Sequence, residues 1–299
     1  MDITCTTNQY TVGGTVSGLL GTGLVLQNNG TDDLPIGANG SFTFTTTVAS
    51  SSIYAVTVST SPKGPLENCT VSNGTGTVTG TPIANVAVTC STMVTVPGGT
   101  MTLGALDQDN NHPYSSTVAT FLMDVGEVTV SAYASCTTCT MPDTGEYCTW
   151  NASGKEEHPI NCVDWQQATD FCSSTGKRLP TEEEWEYAAR YDDARDYPWG
   201  STAPSSTLAN YDSNVGSTTA AGTYPDGASK LGIQDMAGNV WEWTSTWYCG
   251  TPPCTSGTYR VLRGGSWLNP TLSLRAAYRN YYRDPSLRNS YGFRCARTL

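Results

Sequence analysis

Two short blocks near the C-terminus constrain this chain more than any other feature. They read Tyr259-Arg-Val-Leu-Arg-Gly-Gly-Ser-Trp267 and Gly292-Phe-Arg-Cys-Ala-Arg297. Eight of the eleven arginines lie in the last forty residues, with Asp284 as the only acid. Glycines, large aromatics and cations at this density read as a rigid frame. Between the blocks, Asn, Ser, Tyr and Leu mix with no helical or strand period. A fixed frame around an irregular, Tyr-rich insert is the layout of a recognition surface.

The 299 residues can bury a sizeable core in about one to three domains. A net charge of −11 argues against nucleic acid or an anionic membrane as a general partner. Only 14% of residues are charged, while Thr, Ser, Gly and Asn abound. That composition suits an exported, β-rich protein better than a cytosolic enzyme. No apolar run reaches transmembrane length. Met1-Asp2-Ile3-Thr4-Cys5 is neither basic nor apolar. For an extracellular or surface protein of bacterial type, the expectation is a leader already removed, with any membrane contact through an anchor outside this sequence.

Eleven cysteines favour disulfides over metal. Cys249-Gly-Thr-Pro-Pro-Cys254 reads as a clamped turn. Cys136-x-x-Cys139 with Cys148 and Cys162 also admits a zinc reading, which loop-like surroundings weaken, as does a histidine set of only His112 and His158. The odd count leaves one thiol over, with Cys5 the candidate.

Texture changes near residue 91, which predicts one domain over 1–91 and another over 92–299. In the first, Val12/Val16, Leu24/Leu26, Phe42/Phe44, Val56/Val58 and Val86/Val88 put apolar side chains on one strand face. Asn28-Asn-Gly30, Asn39-Gly40 and Asn73-Gly74 supply turns at hairpin spacing. The reading is a small immunoglobulin-like β-sandwich with Cys69–Cys90 as its staple, similar to repeat modules of bacterial surface proteins and acting as a spacer. In the second, helices are expected at Asp164–Cys172, with Trp165, Ala168, Phe171 and Cys172 on one face, and after Thr181. Thr181 and Glu184 form a capping box, and Trp185, Ala188 and Ala189 face the core. The rest reads as loops and short strands, so the class is α+β.

Five motifs follow in order across 92–297. They are Val96-Pro-Gly-Gly-Thr-Met-Thr-Leu-Gly104, Gly126-Glu-Val-Thr-Val130, Gly176-Lys-Arg-Leu-Pro-Thr-Glu-Glu-Glu-Trp-Glu-Tyr-Ala-Ala-Arg190, Asp235-Met-Ala-Gly-Asn-Val-Trp-Glu-Trp243, and Leu262-Arg-Gly-Gly-Ser-Trp267 with Gly292-Phe-Arg294. Together they resemble the formylglycine-generating-enzyme (sulfatase-modifying factor) domain, a variant of the C-type lectin fold. Enzymes of that family use copper and a cysteine pair just after the Gly-Gly-Ser-aromatic motif. Here Leu268-Asn-Pro-Thr-Leu-Ser-Leu-Arg275 has no cysteine, so the resemblance implies the fold without copper chemistry. It also implies a Cys172–Cys295 disulfide, and structural ion pairs for Arg263, Arg275, Arg279 and Arg294.

Other catalytic readings lack parts. His112 and His158 have no partners for a triad. Asp107-x-Asp109-x-Asn111 begins like a calcium loop, but His112 stands where the sharp turn needs Gly. Glu182, Glu183 and Glu184 are accounted for by capping and the helix dipole. The resemblance does imply a structural Ca²⁺ on Glu242 and the carbonyls of Asp235, Gly238 and Val240, with Asn210 marking a second family site. The alternative for Glu242 is an arginine partner, with Trp241 and Trp243 in the core.

Diversity-generating retroelements diversify proteins of this same fold, in a segment between Gly-Gly-Ser-Trp-like and Gly-Phe-Arg-like ends. Adenine-directed mutagenesis of Asn codons cannot yield Lys, Glu, Gln, Met or Trp, and 268–291 contains none of these. The candidate variable, ligand-binding positions are Leu268, Asn269, Leu272, Ser273, Tyr278, Asn280, Tyr281, Tyr282, Ser286, Leu287, Asn289, Ser290 and Tyr291. Tyr offers large contact area with few torsions to freeze, and Ser and Asn adapt their hydrogen bonds. The expected function is non-enzymatic binding of an unidentified protein or cell-surface ligand. The alternatives are a formylglycine-generating-type copper oxidase or degenerate relative, and a carbohydrate-binding lectin.

Overall fold

The computed structural model describes residues 6–105, 113–191, 193, 195–249, 255–283 and 289–299. Candidate positions Ser286 and Leu287, the calcium-loop-like Asp107–His112, and Cys5 and Cys254 lie outside the described residues. The chain forms two compact units, Met1–Thr92 and Met93–Leu299.

The first unit is built of strands β1 (Gln9–Tyr10), β2 (Val12–Ser17), β3 (Leu24–Asn28), β4 (Asp32–Ile36), β5 (Gly40–Thr43), β6 (Val48–Ala49), β7 (Ile53–Thr60), β8 (Asn68–Ser72), β9 (Thr75–Thr77) and β10 (Ile83–Ser91). Two four-stranded sheets, ordered β5-β2-β10-β8 and β4-β3-β7-β9, share one core. The strand alternation read from sequence is what fills it: Val12, Val16, Leu24, Leu26, Phe42, Phe44, Val56, Val86 and Val88 are buried, and Val58 packs against them. β2 and β10 pair in parallel and β8 and β10 antiparallel, with Cys69 opposite Cys90. Those two cysteines form a disulfide within one sheet.

The Asn-Gly turns divide. Asn29 and Gly30 both have positive φ, and they close the β3–β4 hairpin as that geometry requires. The other two are not hairpins. Asn39-Gly40 and Asn73-Gly74 carry the chain from one sheet to the other. Asn39 is committed elsewhere: its side chain accepts from Leu19 N and donates to Leu19 O, both at 2.8 Å.

The second unit contains β11 (Met93–Val96), β12 (Gly99–Leu103), β13 (Tyr114–Val118), β14 (Phe121–Asp124), α1 (Val130–Ala134), α2 (Trp165–Ser174), α3 (Glu182–Arg190), β15 (Trp241–Trp247), β16 (Tyr259–Arg263), β17 (Asn280–Arg283), β18 (Tyr291–Gly292) and β19 (Ala296–Thr298). Asp164 and Gln167 cap α2, and Thr181 and Glu184 cap α3, each pair as a reciprocal box. Trp185, Ala188 and Ala189 are fully buried on the inner face of α3. The C-terminal β19 returns to the edge of β14 in the sheet β11-β14-β19. The sheet β17-β16-β15-β18 carries the start of each C-terminal block and one strand of the insert between them.

The described cysteines of this unit are bridges, not zinc ligands. Cys136–Cys139, Cys148–Cys162 and Cys172–Cys295 are disulfides, and Cys249 is also disulfide-bonded.

Candidate functional site

The arginines of the frame are buried and find their carboxylates on distant elements. Arg294 grips Glu242 with two hydrogen bonds of 2.7 Å, from Nε to Oε2 and from Nη2 to Oε1. Trp185 donates its indole N–H to the same Oε2 at 2.7 Å. Burial alone would lower the Arg294 pKa, but the Glu242 carboxylate outweighs it and holds the group above its usual value. A second network runs along α3. Arg279 donates to both oxygens of Glu182, Arg263 bridges Glu182 and Glu186, and Arg190 reaches Glu186. Arg263 behaves as Arg294 does: burial opposes its charge, and Glu182 and Glu186 restore it. Its Nη1 also donates to the carbonyls of Ala276 and Tyr278, which fixes the backbone in the middle of the insert. Arg275 pairs with Asp196 near the surface.

Those partners were not legible as such. Capping and the helix dipole suffice for Glu182 in the sequence, but its carboxylate is buried and bonded to Arg279. The available signal was spacing: Glu182, Glu186 and Arg190 stand four apart on one helical face.

Around this frame the insert sorts by exposure. Leu268 (44% exposed), Leu272 (52%) and Tyr281 (42%) stand out from the surface. Asn269, Tyr278, Asn280, Tyr282 and Asn289 are half-buried. Ser273, Ser290 and Tyr291 are buried, which removes their side chains from any exposed face. Ser290 O receives the Trp241 amide at 2.7 Å, and the Tyr291 ring packs between Trp243 and Tyr282. Asn269 is half structural: its Oδ1 takes the indole N–H of Trp241 at 2.8 Å.

Tyr281 and Tyr282 do not share a face, because β17 turns successive side chains to opposite sides. Tyr281 stacks on Tyr248, ring centroids 3.7 Å apart, and meets Tyr259 edge-on. Tyr282 points to the core side, against Tyr291. Irregular composition concealed a strand here, since Asn-Tyr-Tyr-Arg has no alternation of apolar and polar residues.

One neighbour of the insert carried no motif. Tyr147 is 47% exposed, has a φ of 66°, and lies against Trp267 with ring centroids 5.4 Å apart. The Asn161 amide donates to both Tyr147 O and Asn289 O, at 2.8 and 2.6 Å.

One of the carried-over calcium ligands, Glu242, meets a different arrangement. Glu242 is fully buried and committed to Arg294 and Trp185, the arginine alternative, so its carboxylate does not fit the role. The Asp235 carboxylate accepts from Gly222 N at 2.6 Å, the Gly238 amide donates to Gly264 O, and Val240 N donates to Glu127. Burial first, then the charges of Asp235 and Glu242, pushes the Glu127 carboxyl well above its ordinary pKa. Among the described residues, no cluster of three His, Cys, Asp or Glu side chains is arranged to hold a metal. Asn210, the marker of the second family site, donates to Ser217 O and Asn239 Oδ1 and leaves its own Oδ1 buried without a hydrogen bond.

The described cysteines also bear on redox chemistry. All are disulfide-bonded, and none lies in 268–275. A soft copper site of paired thiolates has no ligands there.

These features define a domain of the C-type-lectin-like, formylglycine-generating-enzyme type. Residues 79–299 match the sulfatase-modifying factor enzyme 1-like domain, and the chain belongs to that family. Hercynine oxygenase of Mycolicibacterium smegmatis is 40% identical over 145 residues, which are 42% of this chain and 34% of that protein. The chain spans about a quarter to a half of the length of the curated relatives it matches. Among solved structures, PvdO from Pseudomonas aeruginosa superposes with a TM-score of 0.58 at 26% identity, over 69% of this chain and 94% of that one. Treponema denticola variable protein 1 superposes with a TM-score of 0.56 at 22% identity, over 78% of this chain and 99% of that one. The second likeness is one of fold.

Proposed function

We propose that this chain is a non-enzymatic ligand-binding protein, secreted or displayed on a bacterial surface, whose C-terminal face at about 268–291 is diversified by a retroelement. The observation that carries this reading is a coincidence of chemistry and exposure. The segment contains none of the five residue types that adenine-directed change of Asn codons cannot reach. Among its described residues, the exposed large side chains Leu268, Leu272 and Tyr281 all belong to the reachable set. The positions that bind the frame, Arg275 and Arg279, are paired with acids outside the segment. Variation at the exposed positions would therefore leave the frame's ion pairs untouched.

The remaining assignments belong to the same reading. The first unit is an immunoglobulin-like spacer; two sheets around one core support it. A structural Ca²⁺ would rest on the oxygens of Asp235, Gly238 and Val240 rather than on Glu242. The partner is a protein or cell-surface ligand, not nucleic acid. The oxidase alternative lacks its thiols, and a purified chain should not oxidise a sulfatase-type cysteine peptide; Cu(I)-dependent turnover would reverse the assignment. The decisive test is the neighbouring DNA. A reverse-transcriptase gene beside a near-copy of the 268–291 coding segment, differing at adenines, is expected. A locus with neither sinks the diversification reading.

A further inference from the structure

We propose that Cys136–Cys139 is a thiol–disulfide exchange site, a bridge that an external dithiol opens and closes while the second unit stays folded.

Access sets this bridge apart. Of the four bridges whose two ends are described, it alone has both cysteines half-exposed. Cys69, Cys90, Cys162, Cys172 and Cys295 are buried. Cys148 is half-exposed, but its partner is the buried Cys162. An attacking thiolate must reach a sulfur, so burial of either end slows exchange.

Ring size points the same way. Cys136 and Cys139 stand 3 residues apart, against 14, 21 and 123 for the other three bridges. In the chain-entropy account a short loop constrains the unfolded chain least, so this bridge adds least to folding. By linkage, a bridge that adds little to folding is little protected by it.

The turn is also held without its sulfurs. Tyr133 is buried and stacks on Phe171 with ring centroids 5.3 Å apart. Its hydroxyl donates to Thr140 O at 2.8 Å, which spans the same turn as the bridge. Cys136 N donates to Tyr133 O at 3.0 Å, and Thr129 caps the start of α1. Opening the bridge therefore releases two side chains and leaves the backbone anchored at 133 and 140.

The surroundings give exchange a direction. Thr138 Oγ1 and Ser174 Oγ lie 3.7 and 3.4 Å from Cys136 Sγ. Ser174 Oγ also donates to Phe171 O at 2.7 Å, which leaves Thr138 as the hydroxyl free to turn to the sulfur. Among the described residues Cys139 Sγ has no hydrogen-bonding partner. A hydrogen bond to the thiolate favours the charged form, so Cys136 is the better leaving group. A dithiol's thiolate attacks Cys139 Sγ, the S–S bond breaks, and the electron pair leaves on Cys136 Sγ, which takes a proton from water. The reductant's second thiolate then attacks its own sulfur in the mixed disulfide. Cys139 departs and is protonated, and the reductant leaves as a disulfide, so two electrons and two protons pass to the cysteines.

The test titrates the folded full chain with dithiothreitol, traps free thiols with iodoacetamide, and locates them by peptide mass spectrometry. Cys136 and Cys139 should be trapped together at a dithiol concentration on the order of tenfold below that needed for the other three bridges. The trapped chain should keep its circular dichroism and cooperative melting. Bridges that open together as the fold is lost, or Cys148–Cys162 opening first, overturn the proposal. Cys136→Ser combined with Cys139→Ser should melt close to the parent, and loss of the fold overturns the local character of the site. A brief glutathione pulse quenched in acid should leave the adduct on Cys139, and Thr138→Val should slow opening several-fold. An adduct on Cys136, or an unchanged rate, overturns the assigned direction.

Discussion

The frame and the insert are neighbours in sequence and obey opposite rules. Arg263 and Arg294 are 1% and 0% exposed, each locked to glutamates far away in the chain. Leu268 and Leu272, five and nine residues after Arg263, are about half exposed, and their backbones bond to Ser266 Oγ and the Arg275 amide. A buried charge tolerates no loss of its partner, because an uncompensated ion in the interior costs several kcal/mol. An exposed leucine tolerates replacement because its removal leaves no cavity. Specificity of fold and freedom of surface can therefore sit side by side on one sheet.

The comparison is most easily broken by attacking the frame. Replacing Cys172 and Cys295 together with Ser opens a loop of 123 residues, and the chain-entropy account predicts a loss of about 4–5 kcal/mol in chemical denaturation. A loss under about 1 kcal/mol would mean that the Arg network holds the C-terminal strand by itself. Glu242→Ala should cost about 3–5 kcal/mol by stranding Arg294, read from the same denaturation curves. A near-neutral result would show that Arg294 finds another acid, Glu127 or Asp235 being those whose charge already acts on it.

Smaller effects sharpen the contrast. Tyr282→Ser should destabilise more than Tyr281→Ser, since the first ring faces the core and the second lies on a stack at the surface. Loss of the Tyr281 stack is expected to cost about 0.5–1.5 kcal/mol, and Leu272→Ser should stay within about 0.5 kcal/mol. Equal losses at 281 and 282 would contradict the alternation assigned to β17.

A pH series tests the half-buried His158 of the same unit. Burial, then the nearby Lys155 charge, lowers His158 to about 4 from its ordinary 6.5. The unfolded chain binds this proton first, so the contribution is full above pH 6.5 and is lost as pH falls towards 4. Denaturation midpoints of the parent should decline over that window more than those of His158→Gln. Parallel curves would place His158 in water. Asp124 and Glu127, whose carboxyls burial raises, contribute in the opposite sense and act equally on parent and variant.

Much of this was readable beforehand. Period-2 pairs such as Val12/Val16 and Leu24/Leu26 became the core of the first unit, and the expected Thr181/Glu184 box starts its helix, while the Asp164/Gln167 box of the other long helix came only with the structure. These signals are local: a side chain's burial follows from its spacing along one element. The hairpins expected at Asn39-Gly40 and Asn73-Gly74 were misread because an Asn-Gly pair sets a turn, not which sheet the next strand joins.

By itself, the sequence determined that a glycine- and arginine-rich frame surrounds an insert of restricted composition, and that the frame belongs to one family. Only the tertiary structure decided which of the insert's residues face out. Ser273, Ser290 and Tyr291 look like their exposed neighbours in composition but are buried; for Ser290 and Tyr291 the Trp241 amide and the pairing of β18 with β15 draw the backbone inward, and Ser273 is buried in the 271–274 turn. Tyr147 and Glu182, more than a hundred and about ninety residues before the insert, belong to its surroundings, as the Trp267 and Arg279 contacts define. Spacing along a chain encodes neighbours within an element; contacts across elements depend on how those elements pack, and that packing exists only in the folded molecule.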